Sequence, residues 1–381
     1  MNFIYKNMIL TTILLSIALL IGNYHKIKLN FEDKFNVITY LNIIYPFFAC
    51  YSLYTEHINI VSIIITFIIL VLILIAIYID KEFILLKCIM FSSVGLLSLV
   101  VICIILCLTY ESALFFSKIP LVDFLFGTNW QPDPEIIDGK PVGSFGILPL
   151  LSGTLLIVIV AITIAVPLGL FSAIYISEYA SKKIRYITNT ILEILAGIPT
   201  VVYGYFAVVF LSPSIRSLAK YYHLNTQSEN ALVAGLVIGI MILPFITSMI
   251  ENAIHSVPKN LRYGSMALGA SRSDTIWNII IPYALPNIIS SIILSISRVI
   301  GETMIVLMAA GITAHLTFNP LHTVTTITVQ IATILTGDQN FNSIQTSSAY
   351  ALGLTLFIIT WLLNLLALCI TKKATRSIKI H

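Results

Sequence analysis

The chain has 381 residues, of which 58% are apolar and 10% charged, with a formal net charge of +4. A soluble globular domain carries about 25% charged residues, so this chain lacks the polar surface to face water on all sides. The small positive excess forms no basic stripe with interleaved aromatics, so there is no footprint for nucleic acid.

The apolar residues run continuously rather than alternating, which predicts membrane-crossing helices and not a β-barrel. A crossing takes about 20 helical residues, and lipid-exposed backbone must satisfy its own hydrogen bonds. In chain order the runs lie at roughly 8–23, 36–55, 59–79, 86–110, 148–178, 189–212, 230–251, 283–311 and 350–371. The first run follows Lys6, as in a signal peptide. Gly22-Asn23-Tyr24-His25 offers no small-x-small cleavage pattern, so an uncleaved span is favoured. Cys50, Cys88, Cys103, Cys107 and Cys369 all sit inside apolar runs, with neither zinc-site nor disulfide-framework spacing.

Lysines and arginines alternate from loop to loop. Lys26, Lys28 and Lys34 follow the first span; Lys81 and Lys87 the third; Lys182, Lys183 and Arg185 the fifth. Lys259, Arg262 and Arg272 follow the seventh, and Lys372, Lys373, Arg376 and Lys379 close the chain. The positive-inside rule places these segments in the cytoplasm, with the amino terminus outside and the carboxyl terminus cytoplasmic. The segment 312–349 has no Lys or Arg and is expected outside; the loop 213–229, with Arg216 and Lys220, is also assigned outside.

The first three spans carry no motif. Residues 1–80 are therefore read as an amino-terminal extension and 81–381 as the functional core. Within that core, Pro167 with Gly169, Gly197 with Pro199, and Pro244 are expected to interrupt membrane helices. Bends around a path and plain kinks both fit them. Gly235-Leu236-Val237-Ile238-Gly239 is a GxxxG pattern, which suits close packing within the chain or against another subunit. Glu193 and Glu251 fall near inner span ends, where interfacial solvation accounts for them.

The cytoplasmic segment 259–286 reads as a short helix, a Gly turn and a second helix, with the loop expected at 252–282, and its small Gly264, Ala267 and Gly269 allow close helix packing. Ser271 and Ser273 are candidate caps for the helix that opens at Asp274, and Pro282 and Pro286 lead into the next span. Such an element suits docking of a soluble partner, or is an ordinary interfacial hairpin.

Span eight contains Ser297-Arg298-Val299-Ile300-Gly301-Glu302-Thr303. A mid-membrane charge costs a few kcal/mol, so it usually faces a bundle interior or a watery path. The i,i+4 spacing of Arg298 and Glu302 places them on one helix face, where they can pair. A structural ion pair and a path-lining element both fit. In a path, the Arg fork can donate to an oxyanion, and the carboxylate can accept a proton from a protonated phosphate. His315 and His322 lack a third ligand for a metal. The one Gly-Lys pair, Gly139-Lys140, has Pro134 where a phosphate-binding loop needs its first Gly, so the chain is expected not to hydrolyse ATP itself. No catalytic residue and no cofactor motif is identified.

The 252–282 loop resembles that of ABC importer permeases, whose pattern is an Ala-rich start, a Gly, nine residues and then Ile-x-Leu-Pro. Here Ala267, Gly269, Ala270 and Asp274 are followed by Ile279-Ile280-Ile281-Pro282. Tyr263-Gly264-Ser265 stands where Glu-Ala-Ala is usual. Other stretches resemble the phosphate branch of that family, in its PstC-type subunit. They are Phe126-Gly127-Thr128-Asn129-Trp130-Gln131-Pro132, Phe145-Gly146-Ile147-Leu148-Pro149, Gly153-Thr154-Leu155, Pro167-Leu168-Gly169 and Ser177-Glu178. Ala196-Gly197-Ile198-Pro199-Thr200-Val201-Val202-Tyr203-Gly204, Met241-Ile242-Leu243-Pro244 and Arg298-Val299-Ile300-Gly301-Glu302-Thr303 continue it, over about 86–371.

The resemblance implies an all-α, polytopic protein of the cell inner (plasma) membrane: a six-helix type I permease core behind a three-span extension. It implies a sister permease (PstA-like), two ATP-binding subunits (PstB-like) and a soluble phosphate-binding protein (PstS-like). It also implies that Arg298, Glu302 and Thr303 matter for transport, and that 252–282 couples to the ATPases. The competing expectations are a permease for another oxyanion, a membrane scaffold or sensor in which the mid-membrane pair is merely structural, and an ion-coupled transporter using Glu302, which needs no docking loop and often shows internal repeats that are not evident here.

Overall fold

The computed structural model describes residues 82–137, 140–336 and 343–379. The chain divides into two units, Met1–Leu97 and Ser98–His381. The expected spans at 8–23, 36–55 and 59–79 lie outside the described residues.

Helix α1 (Glu82–Phe116) leads to a short α2 (Leu121–Phe126) and a hairpin, β1 (Trp130–Ile137) with β2 (Lys140–Phe145). Then come α3 (Leu148–Ile174), α4 (Lys182–Ala196), α5 (Thr200–Phe206), α6 (Ser212–Tyr221) and α7 (Ala231–His255). The remainder is α8 (Lys259–Ala267), α9 (Arg272–Thr275), α10 (Ile281–Ile300), α11 (Met304–Ala309), α12 (Ile327–Thr336) and α13 (Ile344–Lys379). Three π-helical turns, Tyr175–Tyr179, Ala207–Leu211 and Ile276–Ile280, extend α3, join α5 to α6, and join α9 to α10. The last ends shortly before Pro282, whose ring a wider turn accommodates.

Among the described residues, six stretches are long and apolar enough to cross a membrane. They are Ser93–Phe116, Leu148–Tyr179, Thr200–Tyr221, Ala231–His255, Arg272–Ile300 and Ile344–Lys372. Two differ from expectation. The span expected at 189–212 is displaced to Thr200–Tyr221, because 182–196 forms a separate amphipathic helix. Its Ile184, Ile187, Ile191 and Ile194 repeat at helical spacing opposite Lys182, Asn189 and Glu193, and Ser181 caps it by accepting from the Ile184 amide. The span expected at 283–311 instead runs Arg272–Ile300 and stops, with α11 starting anew after Gly301-Glu302-Thr303.

Pro167 and Pro244 lie inside continuous helices, α3 and α7, and end neither of them. Of the expected interruptions, the one at Gly197-Ile198-Pro199 does separate two helices, α4 from α5.

The GxxxG pattern serves packing within the chain. A Cβ built on Gly235 would stand 2.6 Å from Val160 Cβ, and one on Gly239 would stand 3.1 Å from the Ala161 carbonyl oxygen. Gly169 makes the same allowance for Ile246, whose Cγ2 its Cβ would meet at 2.5 Å. Helices α3 and α7 therefore approach backbone to side chain, and their buried Ile157, Ala161, Ala165, Val237, Ile238 and Ile242 form the centre of the largest core cluster. Gly235→Leu is expected to lower the thermal denaturation midpoint of the detergent-solubilised protein, by overpacking worth about 1–3 kcal/mol. An unchanged midpoint would contradict this packing.

A second cluster, with Ile250, Ile254, Ile276, Ile280 and Ile288, joins α7 to the α9–α10 stretch at the Lys/Arg-rich side. A third lies at the opposite side, where Phe115, Phe124, Trp130, Ile147, Ile327 and Leu352 meet. The hairpin springs from that third cluster. Its register pairs Trp130 with Phe145 and slips between Gln131 and Glu135, where Pro132 and Pro134 cannot donate to the ladder.

Candidate functional site

The polar element of span eight sits at a helix break. Arg298 lies in the last turn of α10, with Gly301 as its cap. The Arg298 guanidinium rests on the Phe245 ring, its Cζ 4.8 Å from the centroid. Phe245 follows Pro244 near the midpoint of α7, so the end of α10 lies close to mid-height of that span. Arg298 is otherwise exposed in the single chain.

Glu302 lies beyond the helix. Its amide donates to the Val299 carbonyl at 3.0 Å, and its Oε1 stands 3.5 Å from the Ile305 amide at the start of α11. Its carbonyl accepts from the Thr328 hydroxyl at 2.9 Å. Thr303 adopts φ −114° and passes the chain into α11. The expected pairing of Arg298 with Glu302 is absent: the ion pairs among the described residues are Arg185–Glu251 and Arg262–Glu178. The i,i+4 relation holds only along a continuous helix, and the break at Gly301 rotates the carboxylate away.

A second break adjoins the first. After Pro199, α5 lays Gly204 against α11, so that a Cβ there would meet Met308 Sδ at 2.7 Å. The Tyr203 hydroxyl reaches back across that break to the Leu195 carbonyl at 3.0 Å. Helix α5 thus packs against α11, and the break that precedes α11 carries an exposed guanidinium, a half-buried carboxylate and the Thr303 hydroxyl. Such a break can donate a forked pair of hydrogen bonds to an oxyanion.

The second candidate region is the helical hairpin 259–282. Helix α8 ends at Leu268-Gly269-Ala270, where Gly269 adopts φ +89°, a conformation that favours glycine. Ser271 and Asp274 form a reciprocal capping box: the Asp274 amide donates to Ser271 Oγ at 3.1 Å, and the Ser271 amide to Asp274 Oδ2 at 3.3 Å. Ser271, not Ser273, is the cap. Ser265 Oγ and Thr275 Oγ1, 3.0 Å apart and buried, pin the two helices together. Ala267, Gly269 and Asp274 are exposed, Ala270 and Ile279 are half-buried, and Pro282 is exposed at the entry to α10. Tyr263, Met266 and Trp277 are exposed, and Leu268 is 92% exposed, an apolar tip larger than water alone favours.

Pairing at the Lys/Arg-rich side was not evident from sequence. Glu251, expected to be solvated, is 7% exposed and pairs with Arg185 at 2.7 Å. His255 Nδ1 lies 2.9 Å from Ser177 Oγ, its Nε2 contacts Arg185, and Glu178 pairs with Arg262. The available signal was that Glu178, Arg185, Glu251 and Arg262 all fall at span ends on one side.

A family model described as "Binding-protein-dependent transport system inner membrane component" matches residues 165–380. The chain is 35% identical over 246 residues to the probable ABC transporter permease protein YqgH of Bacillus subtilis, covering 64% of this chain and 76% of that protein. It is 32% identical over 276 residues to the probable phosphate transport system permease protein PstC of Methanocaldococcus jannaschii, covering 68% and 86%. It is 31% identical over 260 residues to the phosphate transport system permease protein PstC of Mesorhizobium japonicum, covering 64% and 76%. A solved structure, an inward-facing MetNI methionine ABC transporter, aligns with a TM-score of 0.45 at 18% identity over 60% of this chain and 94% of that one.

Proposed function

The chain belongs to the family of binding-protein-dependent transport system inner membrane components, and from that premise we propose that it is a permease subunit of an ATP-driven phosphate importer. The observation that carries the substrate is its identity of about one residue in three with proteins named phosphate transport permeases, over more than 250 residues. The exposed Arg298 at a mid-span helix break supports the same reading, since a forked cation there suits a tetrahedral oxyanion.

In this proposal the Lys/Arg-rich side faces the cytoplasm, with the amino terminus outside and the carboxyl terminus inside. A sister permease (PstA-like) completes the path, two ATP-binding subunits (PstB-like) seat on the tip around Leu268, and a phosphate-binding protein (PstS-like) docks outside. Closure of the ATPases pushes the hairpin 259–282, which continues without interruption into α10. The push therefore reaches the break that carries Arg298, Glu302 and Thr303. Phosphate passes with its oxygens on the guanidinium, and its own hydroxyl can donate to Glu302. Fully ionised sulfate has no such proton.

The test is co-purification from membranes in detergent, followed by an ATPase assay with the loaded binding protein. The expected result is recovery of ATP-binding subunits and stimulation by phosphate but not by sulfate. Absence of an ATPase partner, or equal stimulation by both anions, would refute the proposal.

A further inference from the structure

We infer that Arg262 and Glu178 are positioning residues, a half-buried ionic link that carries displacement of the coupling hairpin to the helices bearing the Arg298 site. The inference rests on the reading of 259–282 as the ATPase-docking element. Arg262 projects from α8 toward the bundle. Its Nη1 pairs with Glu178 at the end of α3, and its Nη2 donates to the Ile254 carbonyl of α7 at 2.7 Å. The side chains are 18% and 10% exposed, so water replaces the contact poorly when it is strained. A displaced hairpin must either take α3 and α7 with it or leave a half-buried carboxylate without its cation, which is the costlier course.

Other contacts fix the ends of this link. The Arg272 guanidinium at the start of α9 lies over the Tyr179 ring, its Cζ 5.5 Å from the centroid, so both halves of the hairpin touch the same end of α3. Arg185 on α4 pairs with Glu251 on α7, which adds a third helix to the assembly. Helices α3 and α7 are interlocked through Gly169, Gly235 and Gly239, and a close-packed pair transmits a shift rather than absorbing it. Helix α7 also carries Phe245, the ring under the Arg298 guanidinium. A continuous series of contacts therefore leads from the docking hairpin, through Arg262 and Ile254, to Phe245 and Arg298. It runs beside the covalent route through α9 and α10.

Where the family loop usually presents a glutamate, this chain has Tyr263, which is exposed. The adjacent Arg262 points its charge inward.

The experiment is a double-mutant cycle in the full complex, with Glu178→Gln and Arg262→Gln made singly and together. Two quantities are read: the ATP-binding subunits co-purified, and the ratio of stimulated to basal ATPase with phosphate-loaded binding protein. Co-purification is expected at the wild-type level. The ratio is expected to fall about tenfold in each single variant and no further in the double, as for two residues acting as one unit. Unchanged ratios in the single variants, or losses that multiply in the double, would overturn the inference. If a neutralised variant does not assemble, Glu178→Asp keeps the charge and shortens the arm; it should assemble with a lowered ratio, and a full ratio would overturn the inference. Failure of the underlying reading shows separately, as wild-type protein that recovers no ATP-binding subunit.

Discussion

Arg298→Ala is expected to cut phosphate uptake on the order of 10- to 100-fold while the complex still assembles, as the loss of one charge-assisted hydrogen bond of about 1.5–3 kcal/mol dictates. The two halves of this outcome have separate causes. Transport suffers because the guanidinium is the cation presented at the break between α10 and α11. Assembly survives because Arg298 holds no carboxylate in place: Glu302 is turned toward the Ile305 amide. What the side chain does hold is the face of Phe245, a contact worth about 0.5–1 kcal/mol at an exposed site. Had the two residues formed a buried ion pair, the same substitution would strand a charge and threaten the fold. Arg298→Lys separates charge from geometry, since it keeps the cation and loses the fork, and an intermediate uptake is expected. Uptake of labelled phosphate into proteoliposomes measures both variants. Normal uptake by the alanine variant would remove Arg298 from the path.

Gly269→Val is expected to lower phosphate-stimulated ATPase about tenfold, with basal hydrolysis retained. The cause is backbone conformation, not crowding. A Cβ at Gly269 meets nothing within 4 Å, so volume alone is tolerated. At φ +89°, however, an L-residue is strained by roughly 1–2 kcal/mol, and a β-branched one by more. The strain is relieved only by reopening the turn that joins α8 to α9. That shift moves Leu268 and Trp277, the exposed apolar residues on either side of the turn, out of register. Gly269→Asn should lose less, because asparagine tolerates positive φ best among the L-residues. Reconstituted complex with loaded binding protein provides the assay, and undiminished stimulation in the valine variant would separate this turn from coupling.

The features legible in the sequence share a short range. Apolar runs disclosed the six spans from residue 86 onward, because a lipid-facing helix must be apolar over its own length. The glycine turn and a serine cap after it were also legible, since both involve neighbours within a few residues, but the helix opens at Arg272 rather than Asp274, with Ser271 as the cap and Asp274 closing its box. The helix start at 182 was missed for a related reason: apolar Ile191, Leu192 and Ile194 run on toward Val201 and Val202, and a hydropathy window merges them across Gly197-Ile198-Pro199.

By itself, then, the sequence determined a helical membrane chain, a glycine-turned hairpin, and the residue types gathered in span eight. Tertiary structure decided how those residues are used. It placed Glu302 past the end of α10, gave Phe245 to Arg298, spent Gly235 and Gly239 on the contact with α3, and paired Glu178 and Glu251 with arginines. Each of these depends on a helix end or on a partner far away in the chain. Helical periodicity predicts which residues share a face only while the helix continues. It is silent on what that face will meet, because packing joins positions such as 178 and 262 that no local rule connects.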